Sequence, residues 1–145
     1  QIAEHPDPRH RKIAERVFAA PDELEKLTRW LHPPVTAAIR AALDRALAER
    51  RAPMVVIDAP LVLEAGLDAW CDALVCVEAP QSARVDRARA ARGWTEGELQ
   101  RREALQTAPE AKRRAANRVI ENDGFPAQLR AKAEAVFEEL TRTPR

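Results

Sequence analysis

Asp58 follows the apolar run Met54-Val55-Val56-Ile57 and precedes Ala59-Pro60. A carboxylate at the carboxyl end of an apolar strand is placed to help hold Mg²⁺ against nucleotide phosphates, the Walker-B arrangement. A loop-capping carboxylate would occupy the same position, so the residues alone leave both readings open. The second feature is a concentration of cations. Arg84, Arg87, Arg89, Arg92, Arg101, Arg102, Lys112, Arg113, Arg114 and Arg118 share a window with only Asp86, Glu96, Glu98, Glu103 and Glu110. The formal net charge of +1 conceals this local positive region. The planar fork of arginine suits phosphate oxygens, and a solvated, ion-paired helix face is the competing reading. The window holds one aromatic residue, Trp94, and so lacks the stacking platforms of a single-strand nucleic-acid binder. His32 stands before Pro33, where a capping or packed imidazole competes with a site residue. No His–carboxylate–nucleophile set has the spacing of a hydrolytic triad.

These residues need elements to position them. The opening stretch through Arg9 holds Pro6 and Pro8 without periodicity and reads as a tail, taken as residues 1–10. Ile13 and Val17 share a helical face over 11–19. Pro21 suits the first turn of a second helix carrying Leu24, Leu27 and Leu31, which Pro33-Pro34 is expected to end. Val35, Ile39, Leu43 and Leu47 then predict an amphipathic helix to about Arg50. Residues 54–57 and 73–77 read as strands buried on both faces, with 61–70 as a crossover. A helix is expected over 80–92, another from the Thr95 cap to Gln106, and a shorter one over 109–117. Arg118-Val119-Ile120-Glu121 reads as a third strand, Asn122-Asp123-Gly124 as a turn, and Leu129 to Leu140 as a closing helix. Trp30 and Trp70 are expected to pack, and Cys76 to be buried and inert.

Helices alternating with short apolar strands from residue 54 onward predict an α/β fold with a parallel sheet. Residues 11–50 are a helical side region, and 51–145 the α/β remainder. Three legible strands are few for such a sheet. The chain opens on Gln rather than Met, so the absent strands are expected upstream of Gln1. At 145 residues, with 46% hydrophobic and 32% charged, the composition is that of one soluble globular domain. Cys71 and Cys76 cannot build a disulfide framework or a complete zinc site. The apolar runs are too short for a membrane span, and a reducing cytoplasm is the expected compartment.

Taken in order, these segments resemble the dephospho-CoA kinase family. The matching pieces are RKIAERVFAAPDELEKLTRWLHPPV, MVVIDAPLVLE with its D-x-P-L-x-x-E turn, VCVEAPQSARVDRARAARG, RREALQ, and KRRAANRVIENDG. Each is weak alone; their order is what is specific, over about residues 11–140. Two departures stand out. The family's phosphate-binding loop has no counterpart: none of Gly66, Gly93, Gly97 and Gly124 lies in a G-x-x-x-x-G-K-[ST] pattern. Asn117 stands where the family usually has Asp.

The resemblance implies a P-loop kinase-like parallel sheet flanked by helices. A helical substrate-binding region at 11–50 and a helical lid at about 84–116 would complete it. The implied reaction is ATP-dependent phosphorylation of the 3′-hydroxyl of dephospho-CoA, with Mg²⁺. His32, Pro60, Leu61 and Glu64 match positions on the substrate side of the cleft, with Asp58 in the same turn. Arg92 best matches the lid arginine that reaches the transferring phosphate, with Arg84, Arg87 and Arg89 competing. Asn122 matches the residue beside the adenine of ATP. The resemblance implies dephospho-CoA and ATP as partners, and neither nucleic acid nor membrane. With no phosphate cradle, the chain is expected to be an N-terminally truncated, inactive piece. Two alternatives are another P-loop kinase of nucleosides or nucleotides, and a non-catalytic remnant serving as a binding module.

Overall fold

Apolar residues at 27, 31, 35, 39, 43 and 47 recur every four positions straight across Pro33-Pro34. In a computed structural model of the chain, which describes residues 20–142, that spacing prevails: Pro21–Glu49 is one helix of 29 residues, α1. The expected break at Pro33-Pro34 does not occur. Proline's fixed φ is helical, and what the pair removes is the hydrogen bonds to the carbonyls of Arg29 and Trp30. Both residues are exposed, so water can serve those carbonyls. Ion pairs one turn apart, Arg29–Glu25 at 2.7 Å and Arg40–Asp44 at 3.0 Å, lie on either side of the prolines. Trp30, expected to pack, is 80% exposed. The helix expected over 11–19 and the tail lie outside the described residues.

The chain divides into two compact units between Glu49 and Arg50. In the second, the run Val55-Val56-Ile57 forms no strand. A strand exists through its hydrogen-bonded neighbour, and this segment has none among the described residues. The expectation of burial fails with it, since Val56 is 75% exposed. The D-x-P-L-x-x-E turn winds helically instead: Leu61 O accepts from Ala65 N–H at 3.0 Å, and Val62 O from Leu67 N–H at 2.9 Å. Gly66, at φ 66°, reverses the chain into a 3-10 turn, Leu67–Trp70.

The sheet of the described residues has two parallel strands, β1 (Val75–Glu78) and β2 (Arg118–Glu121), with Val75 opposite Arg118 and Glu78 opposite Glu121. The crossover between them contains α2 (Gln81–Arg92), α3 (Glu96–Glu103) and α4 (Pro109–Ala115). A closing helix, α5 (Pro126–Arg142), packs on β2. Arg118 binds Glu139 at one end of β2, while Lys132 Nζ donates to Glu121 O at 2.7 Å at the other. The helix therefore runs antiparallel to its strand.

Leu67, Val85 and Ile120 are the buried hydrophobics among the described residues. They come from the 3-10 turn, α2 and β2. The expectation that β1 is buried on both faces is not met: Val75 and Val77 are 41% and 59% exposed. One neighbouring strand cannot give β1 the covered environment of an interior strand. Cys76 is half-buried rather than buried, and its thiol is pushed up by burial and then by Glu78, which keeps it protonated and inert.

Candidate functional site

In parallel α/β sheets the ligand side is the carboxyl end of the strands. Here that end is Glu78 and Glu121-Asn122. The main chain of Asn122 is held twice: its N–H donates to Glu78 O at 2.6 Å, and its carbonyl accepts both terminal nitrogens of Arg87 at 3.2 Å. Its half-buried side-chain amide makes no hydrogen bond among the described residues. Beside it lies an open depression lined by Asp123, Gly124, Gln128, Ala131 and Lys132. A Cβ on Gly124 would meet Gln128 Oε1, the far end of a flexible side chain, which would have to swing aside. That oxygen accepts from Phe125 N–H at 2.9 Å and caps the start of α5.

The amino end of the sheet is closed by Asn117. Its Oδ1 accepts from Leu74 N–H at 2.8 Å, while its own N–H donates to Leu74 O at 2.9 Å. A neutral amide thus supplies the acceptor that a carboxylate would offer. Between β1 and β2 in the chain lies the lid candidate. Thr95 and Glu98 form a reciprocal capping box that starts α3, as the Thr95 expectation required. Arg84 pairs with Glu103 at 3.1 Å and ties α2 to α3.

The structure sorts the arginines by what they already hold. Arg84 is bound to Glu103, Arg87 to the Asn122 carbonyl, Arg113 to Glu78, and Arg118 to Glu139. Arg89 lies 3.9 Å from Asp86, both well exposed. Arg92 has no carboxylate partner among the described residues, and its guanidinium stacks 4.8 Å from the centre of the Trp94 ring. Arg102 stacks on the same ring at 4.1 Å. The sequence shows neither this stack nor the Arg87–Asn122 bond, since both depend on how the caps aim the chain.

The D-x-P-L-x-x-E turn splits in two. Asp58 and Pro60 are exposed and Leu61 half-buried. Asp58 makes no hydrogen bond or ion pair among the described residues, so the loop-capping reading has no bond to stand on. Glu64 accepts from Thr107 N–H, fastening the turn to the root of α4. Burial pushes its carboxyl up, but the Thr107 main chain and hydroxyl, its own N–H and Lys112 bring the net shift below the ordinary value. His32 is half-buried in the interior of α1, not at a helix end, and belongs to the first unit. The second-unit candidates fall into two clusters: Asn122 with Arg87, and Arg92 with Trp94 and Arg102. Asp58 joins neither through a bond.

Parallel strands joined through a helical crossover rich in arginine make an α/β protein, and the comparisons with known proteins give it the fold of the P-loop kinase-like class. The crystal structure of TT1252 from Thermus thermophilus superposes with a TM-score of 0.69 at 34% identity, covering 90% of this chain and 66% of that one. Residues 5–128 match the family model for dephospho-CoA kinase, and the chain belongs to that family. The dephospho-CoA kinase of Deinococcus radiodurans is 37% identical over 131 residues, 90% of this chain and 63% of the relative. That of Chlorobium chlorochromatii is 37% identical over 128 residues, 88% and 60% respectively. The chain thus spans about three-fifths of the length of these relatives. Among the described residues, no helix is long and apolar enough to cross a membrane.

Proposed function

We propose that this chain carries the acceptor-binding and lid portions of a cytoplasmic kinase that moves the γ-phosphoryl group of ATP to the 3′-hydroxyl of dephospho-CoA. The observation that carries the proposal is the ordered match of residues 5–128 to the family model. In the reaction the hydroxyl oxygen forms the new P–O bond in line with the one that breaks to ADP. The hydroxyl proton leaves to a base. Negative charge spreads over the transferring group, and catalysis consists of positioning and neutralising it.

Arg92 is assigned to that charge, because its guanidinium edge is not engaged by a carboxylate. Asn122 is assigned to the adenine edge, with its main chain held and its amide available. Residues 11–50, with His32, and the turn residues Pro60, Leu61 and Glu64 are assigned to the dephospho-CoA side. Asp58 is assigned to the Mg-ATP side. Among the described residues no group of three or more His, Cys, Asp or Glu side chains could hold a metal ion. Mg²⁺ is taken to arrive with ATP, as part of the co-substrate Mg-ATP. The 145 residues contain no G-x-x-x-x-G-K-[ST] cradle. We infer that turnover needs such a cradle from outside them.

The test is product analysis with Mg-ATP and dephospho-CoA. The full-length gene product that carries this chain should form coenzyme A at about 1–100 per second, the ordinary kinase range. The 145-residue chain alone should form none. Absence of coenzyme A from the full-length reaction overturns the proposal, and turnover by the chain alone overturns the need for the cradle.

A further inference from the structure

A residue's two soft backbone dihedrals are fixed once the peptide planes on both sides of it are fixed. At Asn122 both are. The plane before it is tied at its two ends: the Asn122 N–H donates to Glu78 O at 2.6 Å, and Glu121 O accepts from Lys132 Nζ at 2.7 Å. The plane after it is tied by Arg87, whose terminal nitrogens both reach the Asn122 carbonyl at 3.2 Å. Lys132 stands in α5 and Arg87 in α2, so the cations come from different helices. Lys132 Nζ is itself held by Asp123 Oδ1 at 2.8 Å, a bond that keeps the Asp123 carboxyl below its ordinary value.

The Asn122 side chain is left with only its staggered rotamers. An amide offers one acceptor beside one donor. Adenine presents the complementary pair, an amino group beside a ring nitrogen, whereas guanine presents two acceptors side by side. An amide held at one angle and depth fits the first and sets oxygen against oxygen on the second. An amide on a loose turn swings away from the mismatch and discriminates less.

We propose that Lys132 is a positioning residue that, together with Arg87, holds the Asn122 amide where it selects adenine over guanine in the nucleoside triphosphate. The inference rests on the kinase reading and its assignment of Asn122 to the base. It goes beyond that reading in Lys132, which lies past the residues that match the family model. Lys132 acts through the turn and touches no reacting atom.

The test measures kcat and KM for ATP and for GTP by coenzyme A formation in the full-length gene product. Lys132→Met keeps the apolar stem and removes the cation. It should raise KM for ATP more than it lowers kcat. It should also lower the ATP-over-GTP ratio of kcat/KM about tenfold, the size of discrimination that one bidentate base contact carries. Arg87→Lys keeps the charge but loses the fork, and should lower the ratio in the same way. In an Asn122→Ala background the reading amide is gone, so Lys132→Met should leave the ratio where Asn122→Ala puts it. A merely structural role would weaken ATP and GTP alike. An unchanged ratio in Lys132→Met or in Arg87→Lys, or a further fall in the Asn122→Ala background, overturns the positioning role while leaving the kinase reading intact. If Lys132→Met fails to fold, Arg87→Lys decides by the same ratio. Failure of the kinase reading itself shows separately, as absence of coenzyme A with the unaltered protein.

Discussion

Met54-Val55-Val56-Ile57-Asp58 and Arg118-Val119-Ile120-Glu121-Asn122 are written in the same way, as apolar, β-branched runs ending in a polar residue. Only the second is a strand. It has β1 along one edge, α5 across it, Arg87 on the carbonyl that follows it, and Asn117 clipping its start. The first has no strand partner among the described residues, and Val56 stands 75% exposed. The difference teaches that a strand pattern records a segment's readiness to pair, and that pairing belongs to the neighbours. It also divides the polar residues. Those in the second region hold the fold together, whereas Arg92 and Asp58 bind no carboxylate or amide of the described residues.

That division is sharpened most by Arg92→Ala. It should lower kcat of the full-length gene product by about 10³-fold, as loss of a charge-stabilising arginine does, while the melting temperature stays unchanged. Arg87→Ala should lose stability as well as activity, because its guanidinium anchors Asn122. A loss of stability in Arg92→Ala comparable with that in Arg87→Ala would break the comparison.

The next largest effect lies in packing. Ile120 is 7% exposed, and Ile120→Ala should cost about 3 kcal/mol in urea unfolding. Val56→Ala should stay within about 0.5 kcal/mol, as surface changes do. Equal costs would show that the first region is packed after all.

Asn117→Ala removes the acceptor for Leu74 N–H and should cost about 1 kcal/mol. Asn117→Asp should retain the bond, since a carboxylate oxygen accepts in the same place.

The smallest effect concerns pH. The Glu64 carboxyl lies below its ordinary value in the folded state. Its contribution is therefore complete above the unfolded glutamate value, about 4.3, and is lost as pH falls through the lower folded value. Denaturant midpoints of Glu64→Gln and the unaltered protein should differ near neutrality and converge in acid. A gap that widens in acid would reverse the sign and dismiss the Thr107 bond.

Much of the second unit was legible. Thr95 announced its cap, Val75-Cys76-Val77 and Arg118-Val119-Ile120-Glu121 their strands, and Asn122-Asp123-Gly124 the turn into α5, because each signal is local. The prolines misled for the opposite reason. Pro33-Pro34 is a strong local signal, but the four-residue apolar spacing on both sides of it favours one helix, and the carbonyls it strands are exposed. The Arg92–Trp94–Arg102 stack was not legible, since it depends on a left-handed glycine and a capping box delivering residues ten positions apart to one ring. The order of the family segments is legible throughout, and the kinase reading needs no contact beyond it.

The most direct test of that reading is a competition. The full-length gene product is given ATP labelled in the γ-phosphate together with dephospho-CoA and the common nucleoside monophosphates at equal concentrations. The account predicts label on the 3′-oxygen of coenzyme A and none on the monophosphates. Label carried by a nucleoside diphosphate, with dephospho-CoA returned unchanged, would contradict it.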